Sequence, residues 1–356
     1  MKKIVEEIHK KSIIVDGLTA VYPQYFNKKY IQNLKKGNVT AIHITIPSAE
    51  CFSLSQVMKE LAGWFKRLRN LEPYNVRMVT TVKEIREAKE EGGVVVILGS
   101  QGAGFLGIDL SSLEFFYRLG MRTMQPTYQQ RNQFGDGCGE KTDLGLSNLG
   151  VQWVEEMNKL GMLISLSHTG YQTSMDVMEI SDDPVIFDHS NPKSICNHPR
   201  NITDEQIQTC ANKDGVIGLC PIAMLIRPDK EPMEIRVGDY IDHIDYVVNL
   251  VGLDHVGIGI DLAEGHFYTP KQILDRRQNH MYRKLTSDVR MKLEDEFLRS
   301  GRDKLYVYEI TMPWLKSLSE ISIITEALVD RGYSNQEVKK ILGENYLRVF
   351  KKVLGS

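Results

Sequence analysis

Two stretches, Gly161-Met162-Leu163-Ile164-Ser165-Leu166-Ser167-His168 and Pro184-Val185-Ile186-Phe187-Asp188-His189, decide the fold. Each is a short apolar run punctuated at both ends, the pattern of a strand buried on both faces, and each closes on a histidine. In a parallel α/β barrel the strand C-termini converge on one rim, so histidines ending neighbouring strands can face a single metal ion. The competing reading is a pair of solvated loop histidines; the matching context of the two runs favours a site.

Outward from this pair the same grammar repeats. Ser12-Ile13-Ile14-Val15-Asp16, Asn38 to Ile46, Gly93 to Gly99 and Met121 to Pro126 are expected as strands one to four, rich in β-branched and other apolar residues and bounded by Gly or Pro. Gly215 to Leu219 and Asp254 to Asp261 follow the histidine runs as strands seven and eight. Between them, helical spacing marks Leu54 to Leu71, Val82 to Glu91, Leu113 to Leu119 and Asn148 to Leu160, and Thr203-Asp204-Glu205-Gln206 opens another helix with a capping pattern. Eight strands alternating with helices predict an α/β fold, a (β/α)8 TIM barrel forming a single domain over residues 1–356. Residues 264–313, rich in Arg, Lys, Asp, Glu and Tyr, break the rhythm after strand eight and read as a lid or an oligomer contact on the catalytic rim. The closing helix, Asn335 to Leu354, is expected to seal the barrel wall.

Composition excludes several classes. With 42% hydrophobic and 25% charged residues and a formal charge of -2, the chain reads as globular, with no broad nucleic-acid or membrane-surface footprint. Glu6 and Glu7 interrupt the apolar stretch that a signal peptide needs, and no segment reaches membrane-spanning length, so a cytoplasmic location is the default expectation. Five scattered cysteines fit reduced thiols.

Several ordered segments carry a family likeness: Gly145-Leu146-Ser147-Asn148-Leu149-Gly150, Leu166-Ser167-His168, Val185 to Ser190, Pro199-Arg200-Asn201, Gly257 to Asp261, and Gly343-Glu344-Asn345-Tyr346-Leu347-Arg348-Val349-Phe350. Together they resemble the membrane (renal) dipeptidases of the amidohydrolase superfamily. The resemblance implies a barrel of the metal-dependent hydrolase type, in which His168 and His189 bind a metal, Asp261 shuttles protons and Arg200 receives the substrate carboxylate. It also implies a small-molecule substrate and a homodimer. Asn201, Tyr128 and Arg131 join Arg200 as substrate-binding candidates, and Tyr128, where several members place a histidine, is a second catalytic candidate.

This chain departs from the family pattern at one metal position. Strand one of typical members ends in Asp-Gly-His-x-Asp, where this chain reads Asp16-Gly17-Leu18-Thr19-Ala20. The Glu that bridges two ions at the end of strand three is Gln101 here, a neutral amide that offers one carbonyl oxygen. The chemistry left is one divalent ion, zinc first, with manganese or iron as alternatives. His168 and His189 would hold it with a third ligand, Asp261 or Gln101 first, and His266 or Glu264 from the insertion behind them. The expected function is a metal-dependent hydrolase acting on a small carboxylated amide or dipeptide-like substrate. The alternatives are a lyase-type variant and a catalytically retired ligand-binding barrel. His198 is read as a substrate contact or a solvated loop residue, and His43 as a satisfied core histidine.

Overall fold

The computed structural model describes residues 2–355. Its strands are β1 (Ile14–Asp16), β2 (Val39–Thr45), β3 (Val76–Met78), β4 (Val94–Ser100), β5 (Met121–Met124), β6 (Leu163–Ile164), β7 (Ile186–Phe187), β8 (Val216–Leu219) and β9 (Val256–Ile258). One parallel sheet runs β1-β2-β4-β5-β6 and another runs β7-β8-β9. Backbone hydrogen bonds join the two at both seams, Leu166 N to Ile186 O at 2.8 Å and Gly17 N to Ile258 O at 2.9 Å. The eight strands expected from the sequence are therefore the barrel, with helices packed outside it.

β3 pairs with β4 off the barrel path and has no counterpart in the sequence reading. Its three residues include a half-buried Arg77, so they carry no apolar run to detect. β6 and β7 are only two residues long as regular ladders, because the chain leaves the sheet early to turn the histidines onto the rim.

The C-terminal segment corrects one expectation. In place of a continuous helix on the wall, a helix over Asn335–Lys339 passes through a wide turn at Lys340–Glu344 into a second helix at Asn345–Leu354. At the break, a Cβ on Gly343 would lie 2.4 Å from the Ile13 carbonyl oxygen, a close approach only glycine allows. Val338, Ile341 and Leu342 join the large outer core as foreseen. Tyr346, Leu347 and Phe350 instead pack with Val15, Ala41, Val95, Leu163 and Val216, so the last helix plugs the barrel from below.

After β9 the chain forms a small antiparallel pair, β10 (Phe267–Tyr268) with β11 (Leu305–Tyr306), enclosing helices at Pro270–Gln278, His280–Leu285 and Asp288–Ser300. Tyr268, Ile273, Phe297, Leu305 and Val307 give this insertion a core of its own. Among the described residues no helix is long and apolar enough to cross a membrane.

Candidate functional site

A cavity of about 690 Å³ opens at the C-terminal ends of the strands. Its lining includes Gln101, Tyr128, His168, His189, Arg200 and Asp261. The insertion supplies much of the roof, through Tyr268, Arg276, Asn279, Tyr282, Leu285 and Arg290.

His168 and His189 meet with their Nε2 atoms 2.9 Å apart. That separation lies within a few tenths of an ångström of what two imidazoles on one tetrahedral zinc need. His168 adopts φ 67° and Asp261 φ 51°, the left-handed region that non-glycine residues rarely occupy and that recurs at functional sites. His189 Nδ1 bonds Asp188 Oδ1 at 2.6 Å, which fixes the proton on Nδ1 and leaves Nε2 with a lone pair toward the cavity. Burial would raise the Asp188 carboxyl, but His189 and His43 beside it hold it at about 2. The His168 imidazole is held well below its ordinary value by burial and then by Arg200 and His189, so it stays neutral. The Tyr128 ring packs on His168, centroids 4.0 Å apart, and burial keeps its phenol protonated.

Asp261 lines the cavity at the end of the β9 run; burial pushes its carboxyl up, against the pull of His189 and Arg200. Beneath it, buried Asp16 accepts from Ile260 N at 2.7 Å and from the Thr19 hydroxyl, tying the strand-one loop to the loop that carries Asp261. Burial drives the Asp16 carboxyl up to about 7.

Arg200 donates to His189 O at 2.7 Å and to Ser190 Oγ at 2.9 Å, spending two of its five N–H donors to fix its fork against the cavity wall. Gln101 donates to Thr45 Oγ1 and Ser48 O, and its buried Oε1 has no partner among the described residues. At the two strand-one positions where the sequence departs from the family pattern, Leu18 is core and Ala20 lines the cavity.

Other sequence candidates lie elsewhere. Arg131 is exposed and paired with Asp136, outside the cavity lining. Asn201 is buried and donates to Cys196 O and Leu225 O, a brace for two backbone segments. Neither side chain is part of the cavity lining. Glu264 accepts from Asn33 and Leu318 N, and His266 stacks on Tyr22 at 4.3 Å, so neither reaches the histidine pair. His198 is neither solvated nor on the cavity wall: it accepts from Arg200 N through Nδ1 and donates Nε2–H to Leu285 O at 3.0 Å, stapling the insertion to the rim. Sequence reasoning missed Glu50, a cavity carboxylate that accepts from Gly104 N, Tyr128 N and Asn132 Nδ2. No local pattern marks it, because its three donors come from distant parts of the chain.

Residues 5–296 match the family model for membrane dipeptidase, peptidase family M19. The chain belongs to the membrane dipeptidase family. Dipeptidase tcpJ of Claviceps purpurea is 28% identical over 289 residues, 80% of this chain and 57% of that protein. Dipeptidase verJ of Clonostachys rogersoniana is 27% identical over 287 residues, 80% of this chain and 62% of that protein. The chain thus spans less than two thirds of the length of either curated relative. Among solved structures, an amidohydrolase from Pseudomonas aeruginosa superposes with a TM-score of 0.84 at 29% identity, covering 99% of both chains. The probable dipeptidase PvdM from the same organism, at 21% identity and a TM-score of 0.78 over 99% of this chain and 98% of that one, shares the fold.

The facing imidazoles of His168 and His189, the Asp261 carboxylate and the orphaned Gln101 oxygen are donor types that suit a divalent ion. Among the described residues no three His, Cys, Asp or Glu side chains already stand together as a metal cluster.

Proposed function

We propose that this chain is a metal-dependent hydrolase of small carboxylated amides of the dipeptide kind, working with one metal ion. The observation that carries the reading is the Nε2-to-Nε2 approach of His168 and His189 on the cavity wall, with Asp188 fixing the tautomer of the second. The curated relatives being dipeptidases supports the substrate class.

A divalent ion held by His168 and His189, with Gln101 or water completing the shell and Asp261 left free as a base, would supply Lewis acidity toward the carbonyl and activate water. The chain's own residues do the rest. Arg200 takes the substrate carboxylate on its fixed fork, a geometry suited to bidentate pairing. Asp261, raised by burial toward a useful proton affinity, accepts a proton from the attacking water and delivers it to the leaving amine nitrogen. Water adds across the C–N bond, giving one acid and one amine. The phenol of Tyr128, kept neutral, packs on His168 and presents a donor to the same cavity.

A second reading is a ligand-binding barrel without turnover, favoured by the loss of donors at Leu18 and Ala20. Elemental analysis of protein purified without chelator, followed by a dipeptide panel, separates the two. About one equivalent of metal with peptide cleavage supports the hydrolase; no metal and no cleavage supports the binding barrel; two equivalents overturn the one-ion centre.

A further inference from the structure

Arg276 has no task in the hydrolase reading. It sits on the insertion helix Pro270–Gln278 and lines the cavity. Its guanidinium lies between two rings, 4.6 Å from the Tyr268 centroid and 4.7 Å from that of Tyr282. Its buried Nε has no hydrogen-bond partner among the described residues. The neighbouring insertion arginines are neutralised: Arg277 by Glu294 and Asp295, and Arg290 by Glu294.

A guanidinium packed on aromatic faces is gripped through its π-surfaces and keeps its N–H edge for a planar partner, which a carboxylate matches with two parallel hydrogen bonds. A buried N–H left unpaired is costly, so a site of this kind is stabilised by an anion. Of the acidic side chains on the same cavity, Glu50 is already satisfied by three N–H donors, Asp261 belongs to the histidine pair, and Asp275 is exposed. Arg200 and Arg276 both line this one cavity.

We propose that Arg276 is a second anion receptor, so that the ligand of this cavity carries an acidic group at each end, one on Arg200 and one on Arg276. The inference rests on the reading that Arg200 takes a carboxylate, and the test keeps the two apart.

Calorimetric titration of the full chain with succinate, glutarate, adipate and pimelate, each beside the monocarboxylate of equal length, provides the measurement. At least one dicarboxylate is expected to bind about tenfold tighter than its monocarboxylate partner, the worth of one charge-assisted pair. Arg276→Gln should erase that gain while monocarboxylates still bind at Arg200, and Arg200→Gln should weaken monocarboxylate binding to what Arg276 alone supplies. Equal affinity for both series in the wild type, or a gain that persists in Arg276→Gln, overturns the second receptor. Weakened monocarboxylate binding in Arg200→Gln would still uphold the first. The wild-type comparison decides by itself if a variant fails to fold.

Discussion

The Nε2 atoms of His168 and His189 face each other at 2.9 Å, although 21 residues separate them along the chain. Adjacent strands β6 and β7 end level with each other, and the positive φ of His168 swings its ring across the seam. The double variant His168→Ala, His189→Ala is expected to lose bound metal completely while keeping the wild-type far-ultraviolet circular dichroism spectrum. Retention of a full equivalent would move the ion to other ligands.

Asp188 acts on the metal through His189. Replacing it with Asn trades the charged, acceptor-only group that selects the Nδ1–H tautomer for a neutral amide that can also donate and so favour the other tautomer, and such changes weaken metal binding by about 10- to 100-fold. Competition with a chromophoric zinc chelator reads the difference; an unchanged affinity would assign Asp188 to the fold alone.

Asp16 makes stability depend on pH. Its carboxyl stands at about 7 in the folded chain against 3.8 ordinarily, so between these values the folded state holds a proton the unfolded state has released. The stabilisation is therefore full below about pH 4 and is lost as the pH rises through about 7, on the order of a few kcal/mol. Urea midpoints taken across this range should decline less steeply in Asp16→Asn than in the wild type.

Tyr346 reaches up from the C-terminal plug to donate to the Asp188 carbonyl at 3.1 Å. Deleting that hydroxyl in Tyr346→Phe should cost about 1 kcal/mol. In Gly218→Ala the new Cβ would sit 2.1 Å from the Tyr346 hydroxyl and 2.3 Å from the Asp188 carbonyl oxygen. Overpacking against fixed backbone of this kind should cost ~3 kcal/mol. Combining the two changes should not rescue stability, since the carbonyl contact remains; denaturant midpoints of the three variants test this.

His198 holds the insertion to the rim through Leu285 O. His198→Ala should speed proteolytic nicking within residues 264–313 severalfold and raise the KM for any substrate that the roof covers, with a smaller change in kcat. Wild-type cleavage rates would show that other contacts close the roof.

Much of the barrel was legible because strands buried on both faces are written as local apolar runs, and because turns that put Ser167-His168 and Asp188-His189 on the rim follow directly from where those runs stop. The chain neighbours of Arg131 and Asn201 line the cavity, while their own side chains turn to Asp136 and to backbone carbonyls, a difference that sequence position does not record. β3, three residues with one apolar buried position, carries too little pattern to be seen.

By itself the sequence determined the barrel, its eight strands and the residues that close them, since hydrophobic periodicity and Gly or Pro punctuation act over a few residues. Only the tertiary structure decided that the last helix is a plug, that Asp188 orients His189, that His198 staples the insertion and that Arg276 lies between two tyrosines above the cavity. Each of these depends on groups far apart in the chain meeting at hydrogen-bond or ring-stacking distance, and a local pattern holds no record of such distances.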